Sequence, residues 1–296
     1  MIVVTTPTGQ IGAQVLDKVL TSDEHIRVIV RDPSRVAAKA RERVEVVHGS
    51  HDDPDVVTKA FAGADTVFWA VPPNMRVQNV VDYYEDFSRP ASEAIKAQGV
   101  KRVVAVSSLG RESGEVAKRA GHLTAAFAMD DLLEATGVSY RALRMPFFKE
   151  NLLGQVRVIK SQGTFFLANT ADRPLATCAT SDVAAAATAL LLDDSWSGQG
   201  SVPVAGPDDL SPNQMAQVMS EALQRTVRFQ EISTDAYRTR MSQYGITEGA
   251  AQGMADMVTA QNDGIYDHET RTPPFAIPGT SFRQWCQDVL KPAVLS

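Results

Sequence analysis

Through the first half of the chain, short continuous apolar runs alternate with longer stretches of helical spacing. Met1–Thr5, Ile26–Val30, Val44–His48, Thr66–Val71, Val103–Ser107 and Tyr140–Arg144 predict strands. Between them Ile11–Leu20, Asp55–Phe61, Tyr83–Ala97 and Leu123–Ala135 predict helices, and Ser34 to Ala40 is also read as helical. Runs such as Ile2-Val3-Val4 and Val103-Val104-Ala105-Val106 are apolar at consecutive positions. A strand tolerates that when both faces are covered, as in a parallel sheet. Strand–helix–strand repetition through Arg144, with right-handed crossovers, predicts an α/β fold with a doubly wound parallel sheet.

After Pro146 the rhythm changes. An alanine-rich helix is expected at Asp182–Leu192 with Ser181 as its N-cap, then a strand at Val202–Ala205. Ser211–Gln224 reads as a helix with Pro212 near its first position, and Val227–Ile232 as a strand. Two more helices are expected at Asp235–Tyr244 and Thr247–Asn262. Pro273, Pro274 and Pro278 then break the chain before a last helix, Phe282–Leu290. The expected organisation is a first domain over residues 1–150 and a smaller α/β lobe over 151–296 that partly returns to the sheet. Neither an internal repeat nor a low-complexity tract is present.

Composition narrows the function classes. Among 296 residues, 44% are apolar and 22% charged, which excludes a disordered chain. A net charge of −6 argues against nucleic acid or an anionic membrane as partner, because either needs a basic surface. The sequence opens directly on a strand, with neither a basic leader nor an apolar run of membrane-spanning length. Cys178 and Cys286, far apart and without metal-ligand spacing, read as packed, reduced thiols. A cytoplasmic location is expected, with no metal, a small-molecule substrate and a homodimer left open.

The candidate chemistry begins after the first strand, at Thr6-Pro7-Thr8-Gly9-Gln10-Ile11-Gly12. A glycine there lets backbone approach a pyrophosphate, and the following helix points its amides and positive dipole end at that anion. Gly12 has the spacing for close helix–strand packing. In the usual fingerprint the first glycine would fall at Thr6. Thr6 or Thr8 could give a hydroxyl to a phosphate oxygen; in the competing reading Thr6 only caps the turn.

The second strand ends in Arg31-Asp32-Pro33-Ser34-Arg35. An acidic residue at that place would bind a free ribose 2′-hydroxyl, whereas an arginine offers a planar charged fork for a 2′-phosphate. Arg31, with Ser34 and Arg35 assisting, puts NADP(H) ahead of NAD(H). Asp32 opposes that reading if it points inward, and Arg31 could instead stack on the adenine or face solvent.

The runs VTTPTGQIGAQVL, VRDPSR, VFWAVPP, VVAVSSLG and YRALRMPFFKENLL together resemble the NmrA-like group of atypical short-chain dehydrogenases and reductases. The resemblance spans Met1–Leu192 and extends more loosely to SFRQWCQDVL. It implies a Rossmann domain with a cleft against a C-terminal substrate lobe. Thr6, Gly9, Gln10 and Ile11 would then line the pyrophosphate, and Ala70, Val71 and Pro72 the inner ribose. Ser107 and Ser108 would lie near the nicotinamide, flanked by Pro146, Phe147 and Phe148, with Phe148 also facing substrate.

Related reductases use a tyrosine and a lysine four residues later. Counting back from Leu133-Glu134-Ala135-Thr136-Gly137 puts Ala126 where that lysine belongs, and no lysine lies between Lys118 and Lys149. His122 is the candidate proton donor, against a surface or capping role. Asn151 could orient a carbonyl or imine, or cap a helix. Met241 and Met254, with Met257, Tyr237 and Tyr244, could wall a flat substrate or serve as core. Trp69 reads as core, and Asp130-Asp131 as a solvated helix face.

The resulting expectation is NADPH-dependent reduction of a small or flat electrophile, such as a quinone, azo compound, imine or enone. The missing pair is tolerable for such acceptors. The alternatives are a non-catalytic redox sensor acting through a protein partner, and a cofactor-retaining isomerase or epimerase.

Overall fold

In the computed structural model, which describes residues 1–267 and 279–296, the first half carries strands β1 (Ile2–Val4), β2 (Ile26–Val30), β3 (Val44–His48), β4 (Thr66–Trp69), β5 (Arg102–Ser108) and β6 (Ser139–Met145). The later strands are β7 (Phe147–Phe148), β8 (Thr164–Leu167), β9 (Leu175–Cys178), β10 (Gln199–Pro203), β11 (Asp209–Leu210) and β12 (Arg228–Glu231). Seven strands form one parallel sheet in the order β10-β6-β5-β4-β1-β2-β3. The order reverses between β1 and β4, which opens a crevice at their carboxyl ends.

The crossover helices are α1 (Gly12–Val19), the short α2 (Ala38–Arg41), α3 (Pro54–Phe61), α4 (Val80–Gln98) and α5 (His122–Glu134). Consecutive strand residues serve opposite layers. Val4 and Phe68 pack with Val15 and Leu16 of α1, while Val3 and Trp69 pack with Phe61 of α3 and Phe87 of α4. The apolar runs therefore follow from a sheet covered on both sides. Beyond it come α6 (Val156–Gln162), α7 (Thr180–Leu192), α8 (Pro212–Leu223), α9 (Thr234–Gln243), α10 (Glu248–Asn262), α11 (Phe282–Trp285) and α12 (Lys291–Leu295). A third apolar cluster joins Leu109 and Leu123 to Phe165, Met215 and Trp285.

Several local expectations are corrected. Ser34 to Ala40 is not one helix: a 3-10 turn, Pro33–Arg35, is separated from α2 by extended Val36, whose side chain is buried. Ser181 lies inside α7, whose N-cap residue is Ala179. The carboxylate of distant Glu150 accepts the Thr180 amide at 3.1 Å, so the cap comes from another part of the chain. The strand expected at Val202–Ala205 starts earlier, because Gln199–Pro203 pairs with Tyr140–Arg144 along the β6 edge. The last helix passes through a π-helical stretch, Cys286–Leu290, into α12. Strands β7, β8, β9 and β11 span two to four residues, too few for a pattern to register. Pro273, Pro274 and Pro278 lie outside the described residues. Among the described residues no helix is long and apolar enough to cross a membrane.

Candidate active site

At the switch point, the β1–α1 turn is built by close backbone packing. The Gly9 amide donates to the Thr6 carbonyl at 3.0 Å. A Cβ on Gly12 would lie 1.9 Å from that same carbonyl oxygen, so only glycine lets α1 start here. Thr6 itself keeps a negative φ, so the turn requires no glycine at that position. The neighbouring Thr5 hydroxyl ties the ends of the two central strands together. It donates to the Phe68 carbonyl at 2.9 Å and accepts the Ala70 amide at 3.4 Å.

Helix α1 begins without a side-chain cap. By contrast, Asp53, Asn79, Ser211, Ser233 and Thr247 cap α3, α4, α8, α9 and α10. The N-cap residue of α1, like those of α5 and α7, supplies no such side chain; the Ala13 amide donates to the Gly9 carbonyl at 2.9 Å, and the positive dipole end of the helix lies behind the turn that lines the crevice.

A cavity of about 600 Å³ fills this end of the sheet, within the range of small-molecule sites. Thr6, Thr8 and Gly9 line it from the turn, Arg31 and Arg35 from beyond β2, His51 and Asp52 from beyond β3, and Pro72 and Arg76 from beyond β4. The guanidinium groups of Arg31, Arg35 and Arg76 make no hydrogen bond or ion pair with any described residue. Asp32, the residue that opposed a phosphate, is engaged elsewhere. Its carboxylate accepts the Ser34 amide at 3.0 Å and the Ser34 hydroxyl at 2.6 Å, which holds its pKa below the usual carboxylate value. Ser34 is therefore spent on Asp32 and does not line the cavity.

The floor is aromatic. His51, 8% exposed, stands edge-on to Trp69 and Phe87 at 5.2 and 4.7 Å between centroids. Its Nε2–H donates to the Ala70 carbonyl at 3.0 Å, and burial pushes its pKa down to about 4. The Tyr83 hydroxyl donates to the Pro72 carbonyl at 2.9 Å, securing the segment after β4. Trp69 is buried in the core and donates to the Ser88 hydroxyl at 3.3 Å. His51, Tyr83 and Arg76 escape a motif reading. The signal available for His51 was only its place after a strand at the carboxyl edge of the sheet.

Further along that edge, the hydroxyl of Ser107 donates to Asp130 at 2.6 Å, and that of Ser108 to the Leu109 carbonyl at 3.0 Å. Asp130 is not solvated: it is fully buried and also accepts the Tyr140 hydroxyl at 2.6 Å, while Arg111 Nη1 stands 3.5 Å away. Burial raises its pKa to about 6 against those partners. Asp131, facing outward, pairs with Arg111. Helical spacing separates these neighbours by about 100°, and the sheet lies under only one of them.

His122 is neither a cap nor a surface residue. Its Nε2 is buried without a partner among the described residues, its ring meets Tyr84 edge-on at 6.4 Å, and burial lowers its pKa. Pro146 is buried, Phe147 and Phe148 are half-buried, and Asn151 is exposed and caps no helix. Ile11, Ala70 and Val71 are half-buried and Gln10 is exposed. None of the four, nor Met241 or Met254, lines this cavity or a second one of about 300 Å³ between the starts of α4, α5 and α10. Among the described residues no group of His, Cys, Asp and Glu could hold a metal ion.

A parallel sheet of this order, with an open glycine turn at its switch point, defines the Rossmann class. The chain belongs to the NmrA-like family, whose profile matches residues 1–276. It is 29% identical, over 81% of its length and 80% of the relative's, to a (4-alkanoyl-5-oxo-2,5-dihydrofuran-3-yl)methyl phosphate reductase of Streptomyces griseus. It is 26% identical, over 87% and 86%, to an NAD(P)H azoreductase of Xenophilus azovorans. Its fold is similar to that of an NADPH-dependent quinone oxidoreductase of Escherichia coli in complex with NADPH, at a TM-score of 0.81 and 22% identity, over 97% of this chain and 98% of that one.

Proposed function

We propose that the protein binds NADPH in the crevice above β1 and β4 and reduces a small, electron-poor acceptor. The observation that carries this reading is the glycine turn before α1 together with three arginines around one cavity whose guanidinium groups make no hydrogen bond or ion pair with a described residue. NADPH, when bound, supplies the hydride. The amide end of α1 and the Thr6–Gly9 turn would hold its pyrophosphate, and Arg31 and Arg35 its 2′-phosphate. The relatives' reductase names support the direction of the chemistry.

The residues at the reacting end argue for an acceptor that needs little protonation by the protein. Ser107 and Ser108 spend their hydroxyls on Asp130 and on backbone carbonyls. The lowered pKa of His122 keeps its imidazole neutral near pH 7, a poor acid. What the chain contributes is position and exclusion of water, from Pro146, Phe147 and Phe148 beside the ends of β5 and β6. A quinone or azo compound suits that provision; an unactivated ketone does not. The same spent hydroxyls favour, as a second reading, a redox sensor without turnover.

Calorimetric titration with NADPH and with NADH, followed by NADPH consumption across quinone, azo and ketone acceptors, tests this. Tighter binding of NADPH with quinone or azo turnover that survives His122→Ala is expected. Binding without turnover across the panel would favour the sensor, and absence of binding by either nucleotide would remove both readings.

A further inference from the structure

Arg76 belongs to none of the motifs in the chain, yet it lines the same cavity as Arg31 and Arg35 from the opposite side, beyond β4. Asp52 is the single carboxylate among the residues lining that cavity. The three arginines therefore outnumber the lining carboxylate, and like charges repel one another unless an anion joins them.

The backbone around Arg76 is pinned from the far side. The amide of Thr247 donates to the Met75 carbonyl at 3.0 Å, and the Thr247 hydroxyl donates to the Val77 carbonyl. Both carbonyls that bracket Arg76 are thus held by one residue. A Cβ on Gly249 would lie 2.0 Å from the Gln78 carbonyl, so the first turn of α10 rests directly on this segment. The Arg76 amide also donates to Asn74 Oδ1 at 3.0 Å. Holding a long side chain's backbone in this way lowers the entropy lost when its guanidinium engages a phosphate.

We propose that Arg76 is a third cation for the cofactor's 2′-phosphate, presented by the N-cap of α10, so that the C-terminal part of the chain helps set the preference for NADPH. This rests on the dinucleotide reading of the cavity. Thr247 acts through Arg76 and is a positioning residue.

The test is calorimetric titration of the full chain with NADPH and NADH, comparing wild type with Arg76→Ala, Thr247→Val and Thr247→Ser. Arg76→Ala is expected to weaken NADPH about tenfold, the worth of one charge-assisted contact, and to leave NADH within about twofold. Thr247→Val should weaken NADPH about threefold with NADH unchanged, and Thr247→Ser should restore it, because serine keeps the donated proton. If Thr247→Val does not fold, Thr247→Asp, which can still cap the helix but cannot donate to Val77, carries the comparison.

NADPH affinity unchanged in Arg76→Ala, or equal losses for both nucleotides, would overturn the assignment. A loss in Arg76→Ala with none in the Thr247 variants would overturn the role of α10. Should the wild type bind neither nucleotide, the dinucleotide reading of the cavity falls and takes this inference with it. An unchanged Arg76→Ala beside a wild type that prefers NADPH removes the inference alone.

Discussion

Two polar regions of the molecule follow opposite rules. Around the β1–α1 turn, the guanidinium groups of Arg31, Arg35 and Arg76 make no hydrogen bond or ion pair with a described residue, and α1 has no side-chain cap. Around Lys149 the charged groups are engaged. The Lys149 ammonium, 1% exposed, donates to the Thr280 carbonyl, and the carboxylate of Asp182 accepts the Thr280 amide and hydroxyl at 2.7 Å each. Asp208 accepts the Phe282 amide at 2.9 Å, and Glu150 accepts the Trp285 indole at 3.1 Å. Buried polar groups must find partners or cost several kcal/mol, so the second region is a lock between β7, α7 and the C-terminal helices. Groups at the edge of a cavity keep water until a ligand arrives. The same residue types therefore serve structure where they are paired and recognition where they are not.

The sharpest way to break this comparison is to neutralise the buried cation. Lys149→Met should cost about 3–5 kcal/mol in urea unfolding, because the nearby carboxylates of Asp182 and Asp208 lose their compensating charge. A cost below about 1 kcal/mol would mean that the lock contributes little.

The next effect is one of pH, and it sets an interior carboxyl against a cavity histidine. Asp130 is raised from 3.8 to about 6, so its contribution is full below pH 3.8 and is lost as pH rises to about 6. His51 is lowered from 6.5 to about 4, so its contribution is full above pH 6.5 and is lost as pH falls toward 4. The two slopes oppose each other across the shared window. Asp130→Asn should therefore unmask stability that rises with pH, by on the order of 3 kcal/mol, and His51→Gln stability that falls. Equal pH profiles in both variants and the wild type would refute the opposition.

Smaller still is the expected loss at Arg31. Arg31→Ala should weaken NADPH about tenfold, or about 1.4 kcal/mol, while leaving unfolding stability within about 0.5 kcal/mol. A stability loss as large as the binding loss would place Arg31 with the lock. The smallest effect concerns the capping box of α8, where Ser211 accepts the Gln214 amide at 3.3 Å. Ser211→Ala should cost about 1 kcal/mol in thermal unfolding and leave nucleotide affinity unchanged.

Much of the sheet was legible because each strand needs apolar residues on both faces and each crossover helix needs one apolar stripe. β2 and β3 fall on their expected ends, β1, β5 and β6 shift by one residue at both ends, and β4 ends two residues early. Less of the candidate site was legible. The glycine turn and Arg31 follow from spacing, since Gly12 must fit against the Thr6 carbonyl. His51 and Arg76 reach the cavity from separate loops, and no local pattern distinguishes them from solvated residues. The misreadings have the same origin. Asp130 and Asp131 are adjacent in sequence, but one lies over Ser107 and Tyr140 and the other faces water.

By itself, then, the sequence determined the strand–helix alternation, the parallel character of the sheet and the turn that begins α1. These are properties of backbone conformation and periodic burial, which short stretches encode. Tertiary structure alone decided which charges are spent and which are free: that Glu150 caps α7, that Asp32 turns to Ser34, that Lys149 is locked and that Arg76 is held by Thr247. A polar side chain's role depends on the partners within about 3 Å of it, and those partners arrive from distant parts of the chain.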